Sequence, residues 1–340
     1  MALTTVYVPP PADEARPEPR AIRANLDRGD RYFLRGSLGS GLLVLAIMVA
    51  VGLFLSIQAS QALSKSGLSF LTTSQWQPDS GTFGIAAVLS GTIAIALVAV
   101  LVAVPLSMGT ALFITDIAPP RLRSTLVAMV DLMAAVPSVV YGLWGLFFFQ
   151  SKVIGLARWI STWFGWIPVF KVAGADPHSP LANSTVYTAS TFIAGIVVAL
   201  MVMPIQCSVM REVFSQVPLG EREGALALGG TRWGVIRTVS LPFARGGIIG
   251  GTMLGLGRAL GETIAVLLII SPRFDINWHL LEAGGNSVSS LIAARYAEAT
   301  GFGLSALMAA GLALFAMTLV VNFTASAFVA RSRSGADSEA

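Results

Sequence analysis

Three ionisable side chains interrupt long apolar runs in this sequence: Asp131, Arg258 and Glu262. A charge inside a membrane is costly, so such residues usually belong to functional sites. The guanidinium of Arg258 carries a fixed fork of N–H donors and is suited to attract a small oxyanion. The two carboxylates would keep that anion from binding too tightly. These residues therefore predict a transient path for an oxyanion.

The spacing of Arg258 and Glu262 leaves a second interpretation open. On a continuous helix they stand at positions i and i+4, so they share a face and can pair. Arg258 follows Arg245 by about 20 Å of helix at 1.5 Å per residue, which predicts a position near mid-membrane. A buried network of arginine and carboxylates that only fixes helix packing is the alternative, although apolar residues can replace such a network at little cost.

Hydroxyl groups extend the same predicted path. Thr263 follows the second carboxylate directly. Ser138 and Tyr141 lie in the segment PSVVYG, where the proline and the glycine can expose backbone groups. Both side chains can donate hydrogen bonds. We therefore predict Ser138, Tyr141 and Thr263 as further members of the path.

The elements that position these residues are predicted to span a membrane. The 340-residue chain is 54% hydrophobic and 12% charged, whereas soluble domains carry about 25% charged residues. A membrane helix needs about 20 apolar residues. Six runs satisfy this requirement: residues 37–58, 84–105, 122–149, 187–214, 243–270 and 303–329. The sequence therefore predicts an all-α integral membrane protein with six transmembrane helices.

The distribution of Lys and Arg predicts the orientation. These residues are concentrated in the segments that a cytoplasmic N-terminus would place inside, so both termini are predicted to be cytoplasmic. The net charge of +4 thus reflects topology and not nucleic-acid binding. The predicted organisation is a tail (1–36), a first helix (37–58), an outer loop (59–83), a permease core (84–330) and a second tail (331–340). Within the core, the loops are outer (150–186), inner (211–242) and outer (272–302).

Three tryptophans point to a further helix in the outer loop at 150–186. Trp159, Trp163 and Trp166 fall on one helical face. Tryptophan favours the membrane interface, so we predict a helix over residues 154–166 that lies along the outer leaflet. Anchoring explains these side chains more simply than contact with a substrate.

Small residues in two of the apolar runs predict close packing. The single cysteine, Cys207, is expected to pack as a small apolar side chain. Gly247, Gly251 and Gly255 recur every four residues, which permits close approach of a second helix.

The inner loop carries a pattern of its own, REVFSQVPLGEREGALALGGTRWGVIRTVSLPFAR over residues 211–245. It predicts a short helix at residues 221–228 that ends at Gly229, because glycine tolerates the left-handed conformation at a helix C-terminus. Thr231 is suited to cap a second helix at residues 232–239. Leu241 and Pro242 then open the fifth predicted transmembrane helix.

This loop resembles the EAA loop of ABC importer permeases. The matching residues are Glu223, Gly224, Ala225, Gly229, Val239, Leu241 and Pro242, with Gly224 and Val239 replacing the usual alanine and isoleucine. The resemblance implies the type I ABC importer permease fold and a coupling helix that docks on a separate ATPase chain. The residues implied in that contact are Glu221, Glu223, Gly224, Ala225, Leu228, Gly229, Arg232, Leu241 and Pro242.

The sequence holds no signature of catalysis. Lys65-Ser66 lacks the glycine-rich turn of a Walker A loop. Neither H-E-x-x-H nor G-x-S-x-G occurs, which argues against a membrane enzyme. We therefore expect no catalytic residue, no metal site and no cofactor bound by this chain, with ATP used by the partner ATPase.

Two further segments narrow the resemblance. DLMAAVPSVVYGL, which begins at Asp131, and RALGETIAV, which begins at Arg258, resemble PstC-type permeases of phosphate importers. That family usually has glutamate at the position of Asp131. The resemblance implies a bacterial inner-membrane complex with a PstA-like permease, two PstB-like ATPases and a PstS-like binding protein, in contact with lipid and without nucleic acid. A sulfate, molybdate or tungstate permease and a proton-coupled anion transporter remain alternatives, but the latter leaves the EAA-like loop unexplained.

Overall fold

The computed structural model describes residues 27–173, residue 176 and residues 183–333. Residues 1–26 and 334–340, which make up most of the two predicted tails, lie outside the described residues. So does part of the predicted outer loop at residues 150–186.

Thirteen α-helices and one short hairpin make up the described chain. The helices are α1 (Arg28–Ser66), α2 (Ser69–Thr72), α3 (Ala86–Leu112), α4 (Pro120–Ala135), α5 (Ser138–Trp144), α6 (Gln150–Phe164), α7 (Thr191–Ser215), α8 (Leu219–Ala227), α9 (Arg232–Val235), α10 (Leu241–Leu260), α11 (Ile264–Ile269), α12 (Val288–Arg295) and α13 (Phe302–Arg333). Antiparallel strands β1 (Trp76–Gln77) and β2 (Thr82–Phe83) form the hairpin. Three π-helical segments, Phe113–Ile117, Gly145–Phe149 and Ile236–Ser240, continue α3, α5 and α9.

Five described helical stretches are long and apolar enough to cross a membrane. They are Arg28–Ser66, Ala86–Ile117, Ser138–Phe164, Thr191–Ser215 and Phe302–Ala327. The remaining predicted helix, residues 243–270, is divided into α10 and α11. Arg245, Arg258 and several glycines lower the mean hydropathy of α10. The chain is thus a multi-pass membrane protein, while the predicted count of six spans stays a prediction.

The third predicted span, residues 122–149, is not one helix. Val136 is extended, with φ −68° and ψ 128°, and separates α4 from α5. Proline disfavours helical geometry in the residue before it, and Pro137 is that proline. The apolar helix instead continues from α5 into α6, up to Phe164.

This continuation corrects the prediction of a separate surface helix at residues 154–166. The helix is present, but it is the C-terminal half of the stretch Ser138–Phe164. The polar residues Gln150, Ser151 and Lys152 suggested a loop, yet all three favour or tolerate a helix and none of them breaks it. Trp159 and Trp163 remain exposed on its surface.

Helices α3, α7 and α10 form the centre of the fold. Alanines of α3, including Ala99 and Ala103, pack against valines and Met201 of α7 in one buried cluster. Gly247 and Gly255 of α10 face Val213 and Gln206 of α7 so closely that an added Cβ would collide with them. The predicted close approach along the glycine stripe is therefore confirmed.

Polar groups are also buried at this centre. Gln206 is fully buried, and its side-chain oxygen accepts a hydrogen bond from Ser107 of α3 over 3.2 Å. Its amide nitrogen lies 3.5 Å from the Thr252 carbonyl of α10. Cys207 is fully buried beside it, in agreement with the predicted packing role.

An arginine organises the irregular segment between α11 and α12. Arg273 binds Asp275 with two hydrogen bonds, of 3.0 and 2.8 Å, and Glu282 with one of 2.9 Å. The hydrogen bond to Glu282, and then that to Asp275, raises the pKa of Arg273 above its ordinary value. His279 lies 3.2 Å from the second oxygen of Glu282. The segment that begins the predicted outer loop at residues 272–302 is thus ordered by charge, without regular structure.

Candidate functional site

The predicted pairing of Arg258 and Glu262 is wrong. Helix α10 ends at Leu260, and the chain turns at Gly261 before α11 begins. The i, i+4 geometry requires a continuous helix, so the two side chains leave in different directions. No ion pair joins them among the described residues.

Glu262 is a buried residue at the break between α10 and α11. Glu262 is only 8% exposed, and one of its carboxylate oxygens accepts a hydrogen bond of 3.3 Å from the backbone N–H of Ala265. Ser289 of α12 donates to the Glu262 carbonyl over 2.7 Å. Thr263, also predicted for the path, donates to the Gly261 carbonyl over 3.1 Å. The first bond satisfies an N–H group at the N-terminus of α11, and the other two satisfy backbone carbonyls that follow α10. Together they fix the break.

Arg258, by contrast, is exposed in the single chain. It lines a cavity of about 480 Å³ between α7, α10 and α13. The other lining residues are Ile205, Met253, Leu254, Gly257, Thr318 and Asn322. Apart from the guanidinium, the polar groups there are one hydroxyl and one amide, which can complete the coordination of an anion.

Asp131 approaches the same stretch of α7. The Ser208 hydroxyl lies 3.5 Å from a carboxylate oxygen of Asp131, which is an exposed residue of α4. Ile205, which borders the Arg258 cavity, stands three residues earlier and therefore on the same side of α7. Asp131 thus contacts α7 within one turn of the residue of α7 that lines the Arg258 cavity, while Glu262 lies at the break after α10.

Tyr141 connects the two helices on either side of the Pro137 break. Its hydroxyl donates to the Met133 carbonyl of α4 over 3.0 Å. One residue later, a Cβ on Gly142 would crowd Leu268 and Ala265, so α5 packs closely on α11. Ser138 is the first residue of α5 and is half-buried. The hydroxyl groups of Ser138 and Tyr141 therefore lie beside the break at Pro137, and neither residue lines the Arg258 cavity.

The EAA-like loop (residues 211–242) folds closely as its sequence predicts. Helix α8 ends before Gly229, whose φ of 84° requires the left-handed conformation. The Thr231 hydroxyl accepts a hydrogen bond of 3.1 Å from the Gly234 N–H and so caps α9. The second helix is α-helical only to Val235 and then π-helical to Ser240. Leu241 and Pro242 open α10, as predicted.

Most of the residues assigned to ATPase contact are exposed. They are Glu221, Glu223, Gly224, Leu228, Gly229, Arg232 and Pro242, whereas Ala225 and Leu241 are half-buried. Leu228 is 91% exposed, and the neighbouring Trp233 is 65% exposed. Aromatic side chains such as that of Trp233 are enriched at protein interfaces relative to the rest of a protein surface.

Sequence reasoning missed one ion pair under this loop. Arg222 of α8 contacts Asp116 over 2.6 Å and donates to the Phe214 carbonyl of α7 over 2.7 Å. No predicted site includes Asp116, which directly follows a long apolar run. An aspartate placed directly after a long apolar run was the available signal.

Comparison with known proteins gives the family. Residues 103–334 match the family described as "Binding-protein-dependent transport system inner membrane component". The "Phosphate transport system permease protein PstC 2" of Mycobacterium tuberculosis is 37% identical over 304 residues, which cover 88% of this chain and 91% of that protein. The PstC protein of Pasteurella multocida is 38% identical over 279 residues, covering 82% and 84%. The chain belongs to the PstC permease family.

Solved structures show that this PstC-family chain has the ABC permease fold. A chain of a bacterial ABC transporter involved in the import of alginate aligns with a TM-score of 0.53 and 15% identity, covering 88% of this chain and 98% of that one. A chain of the MetNI methionine ABC transporter aligns with a TM-score of 0.51 and 14% identity, covering 73% and 95%. At this identity the likeness concerns the fold alone.

Proposed function

We propose that the chain is the PstC-type permease subunit of an ATP-driven phosphate importer in the bacterial inner membrane. It would cross the membrane six times, with α10, the break and α11 as the fifth span and with both termini in the cytoplasm. The excess of Lys and Arg in the predicted inner segments supports that orientation. The relatives named for phosphate transport, similar over most of the chain, support the cargo.

The observation that carries the proposal is the position of Arg258. Within a membrane-spanning fold, its guanidinium is exposed in a cavity between α7, α10 and α13. An arginine at such depth is stable only beside a polar pathway or a partner group. A planar guanidinium also matches the oxygens of phosphate, which it can bind through two N–H groups at once.

Three kinds of partner complete the proposed transporter. The exposed face around Arg258 suits a PstA-like second permease, so that the path lies between the two subunits. The EAA-like loop suits a PstB-like ATPase, two copies of which would hydrolyse the ATP. A PstS-like binding protein would deliver phosphate from the outer side. Membership of a binding-protein-dependent family supports the last of these.

Uptake by the reassembled transporter tests the proposal. The chain is co-purified with its partner subunits and reconstituted in vesicles, and radiolabelled phosphate, sulfate and molybdate are offered separately with the binding protein. We expect ATP-dependent uptake of phosphate and loss of that uptake in Arg258→Gln, with the subunits still associated. Arg121→Gln is the matched control, because Arg121 is an exposed arginine outside both the predicted path and the EAA-like loop.

Two results would contradict the proposal. Preference for sulfate or molybdate would assign the chain to another oxyanion. Uptake that persists without ATP and collapses with a protonophore would show a proton-coupled transporter. Normal phosphate uptake by Arg258→Gln would remove Arg258 from the path even if the cargo were right.

A further inference from the structure

We propose that Arg222 and Asp116 are positioning residues that hold helix α8 of the EAA-like loop against the membrane-spanning helices and so transmit its displacement to them. This inference rests on the proposed function, in which α8 contacts the ATPase. It assigns the connection between α8 and the membrane-spanning helices to the guanidinium of Arg222, which is not among the residues of the EAA-like pattern.

Arg222 connects three elements with two short bonds. One terminal nitrogen contacts Asp116 over 2.6 Å, at the end of the long helix that begins with α3. The other donates to the Phe214 carbonyl over 2.7 Å, in the last turn of α7. A cation is favoured at a helix C-terminus by the exposed carbonyls and the helix dipole. A displacement of α8 therefore pulls on both helices.

Helix α8 has no fully buried side chain to anchor it. None of its nine residues, all of them described, is buried. A helix this short is unstable in water without tertiary contacts. Arg222 supplies such a contact, since its side chain is 21% exposed and that of Asp116 only 12%. An ion pair with this degree of burial is screened less than a surface pair.

Asp116 is presented by an irregular turn. It lies in the π-helical segment Phe113–Ile117, where the Ala118 N–H donates to the Phe113 carbonyl over 2.7 Å. Such insertions in a helix are frequent at functional sites. The end of α3 thus carries its carboxylate on a turn wider than that of a regular helix.

The same pair also faces the start of α10. A cavity of about 250 Å³ lies between α8, the end of α3 and the segment that leads into α10. Three buried polar atoms at this cavity have no hydrogen-bond partner among the described residues: Asp116 Oδ2, Arg222 Nε and Ser240 Oγ. Ser240 directly precedes α10, the helix that carries Arg258. The ion pair and the residue that precedes α10 therefore line one cavity.

A merely structural ion pair would predict a different outcome from a positioning pair. Breaking a structural pair lowers the stability or assembly of the subunit, whereas breaking a positioning pair loosens α8 and uncouples ATP hydrolysis from transport in complexes that still assemble. Arg222→Lys separates the two further, because a lysine keeps the charge but lacks the planar fork that reaches both acceptors.

The experiment uses the complete transporter reconstituted in a membrane. Arg222→Gln, Arg222→Lys and Asp116→Asn are compared with wild type and with the control Arg121→Gln, at an exposed arginine outside the EAA-like loop. Hydrogen exchange is measured over residues 219–228, and the ATP hydrolysed per substrate molecule transported is measured in the same vesicles.

We expect exchange at residues 219–228 to accelerate on the order of tenfold in Arg222→Gln and Asp116→Asn, which corresponds to about 1.4 kcal/mol. More ATP is then hydrolysed for each substrate molecule, Arg222→Lys is intermediate, and Arg121→Gln matches wild type. If Arg222→Gln does not assemble, Asp116→Asn decides, since it leaves the bond from Arg222 to the Phe214 carbonyl in place. Wild-type exchange or wild-type coupling in Asp116→Asn overturns the inference. The exchange needs no cargo, so a wild-type transporter that fails to move phosphate would refute the proposed function separately.

Discussion

Replacement of Gly255 by alanine tests the packing of α10 on α7. A Cβ at Gly255 would collide with the side-chain amide of Gln206, which is fully buried. Overpacking of this kind costs about 1–3 kcal/mol. Displacing the amide also strains its hydrogen bond with Ser107, and such bonds between membrane helices contribute about 0.6 kcal/mol on average. We therefore expect Gly255→Ala to destabilise the folded chain by about 2–4 kcal/mol.

Thermal or denaturant unfolding of the purified chain in detergent measures this loss. Gly250→Ala is the matched control, since no described atom lies within 4 Å of a Cβ built on Gly250 of the same helix. The double variant Gly255→Ala, Gln206→Ala removes the colliding amide and should recover part of the stability. Equal stability of Gly255→Ala and Gly250→Ala would refute the reasoning. So would a double variant whose loss of stability exceeds the sum of the losses measured for Gly255→Ala and Gln206→Ala alone.

Further predictions concern the two loops. Glu223→Lys and Gly229→Asp should weaken association with the ATPase or uncouple hydrolysis from transport. The first reverses an exposed charge, and the second introduces a side chain where φ is 84°. Co-purification and ATPase assays measure both effects, and unchanged association and coupling in both variants would exclude the loop from docking. Arg273→Ala should accelerate proteolysis of residues 271–287, whereas alkaline buffer should not. The raised pKa of Arg273 means that its ion pairs contribute fully below its ordinary pKa and are lost only as the pH rises through the higher folded value. Cleavage of the wild-type loop in moderately alkaline buffer would contradict this.

Sequence periodicity and composition predicted the helical membrane fold well because each signal is local. Glycine after α8, Thr231 before α9 and Pro242 in the first turn of α10 act on their own neighbours, and the structure confirms all three. The predicted extent of the third span was wrong for two reasons. The chain breaks at Pro137, and the helix that follows continues through Gln150, Ser151 and Lys152, whose weak local preferences do not decide between helix and loop. The predicted span (residues 122–149) and the observed helical stretch (Ser138–Phe164) are both long enough to cross a bilayer.

The site was predictable in type but not in contacts. Arg258, Glu262 and Asp131 were evident as charges in apolar runs, yet their partners depend on where α10 ends. A helix one turn longer would have allowed the Arg258–Glu262 pair; the turn at Gly261 buries Glu262 beside Ser289 and leaves Arg258 at the cavity. The Asp116–Arg222 contact joins residues far apart in sequence, so no local pattern indicates it.

The burial of Cys207 has a practical consequence for reporter chemistry. It is the only thiol in the sequence and is fully buried between helices, out of reach of aqueous alkylating reagents. The wild-type chain therefore already behaves as a thiol-free background. A single cysteine introduced at an exposed position such as Ala227 on α8 would take up a spin label or fluorophore selectively. Distances from that label to a second one on a partner subunit could follow the transport cycle without first re-engineering the core.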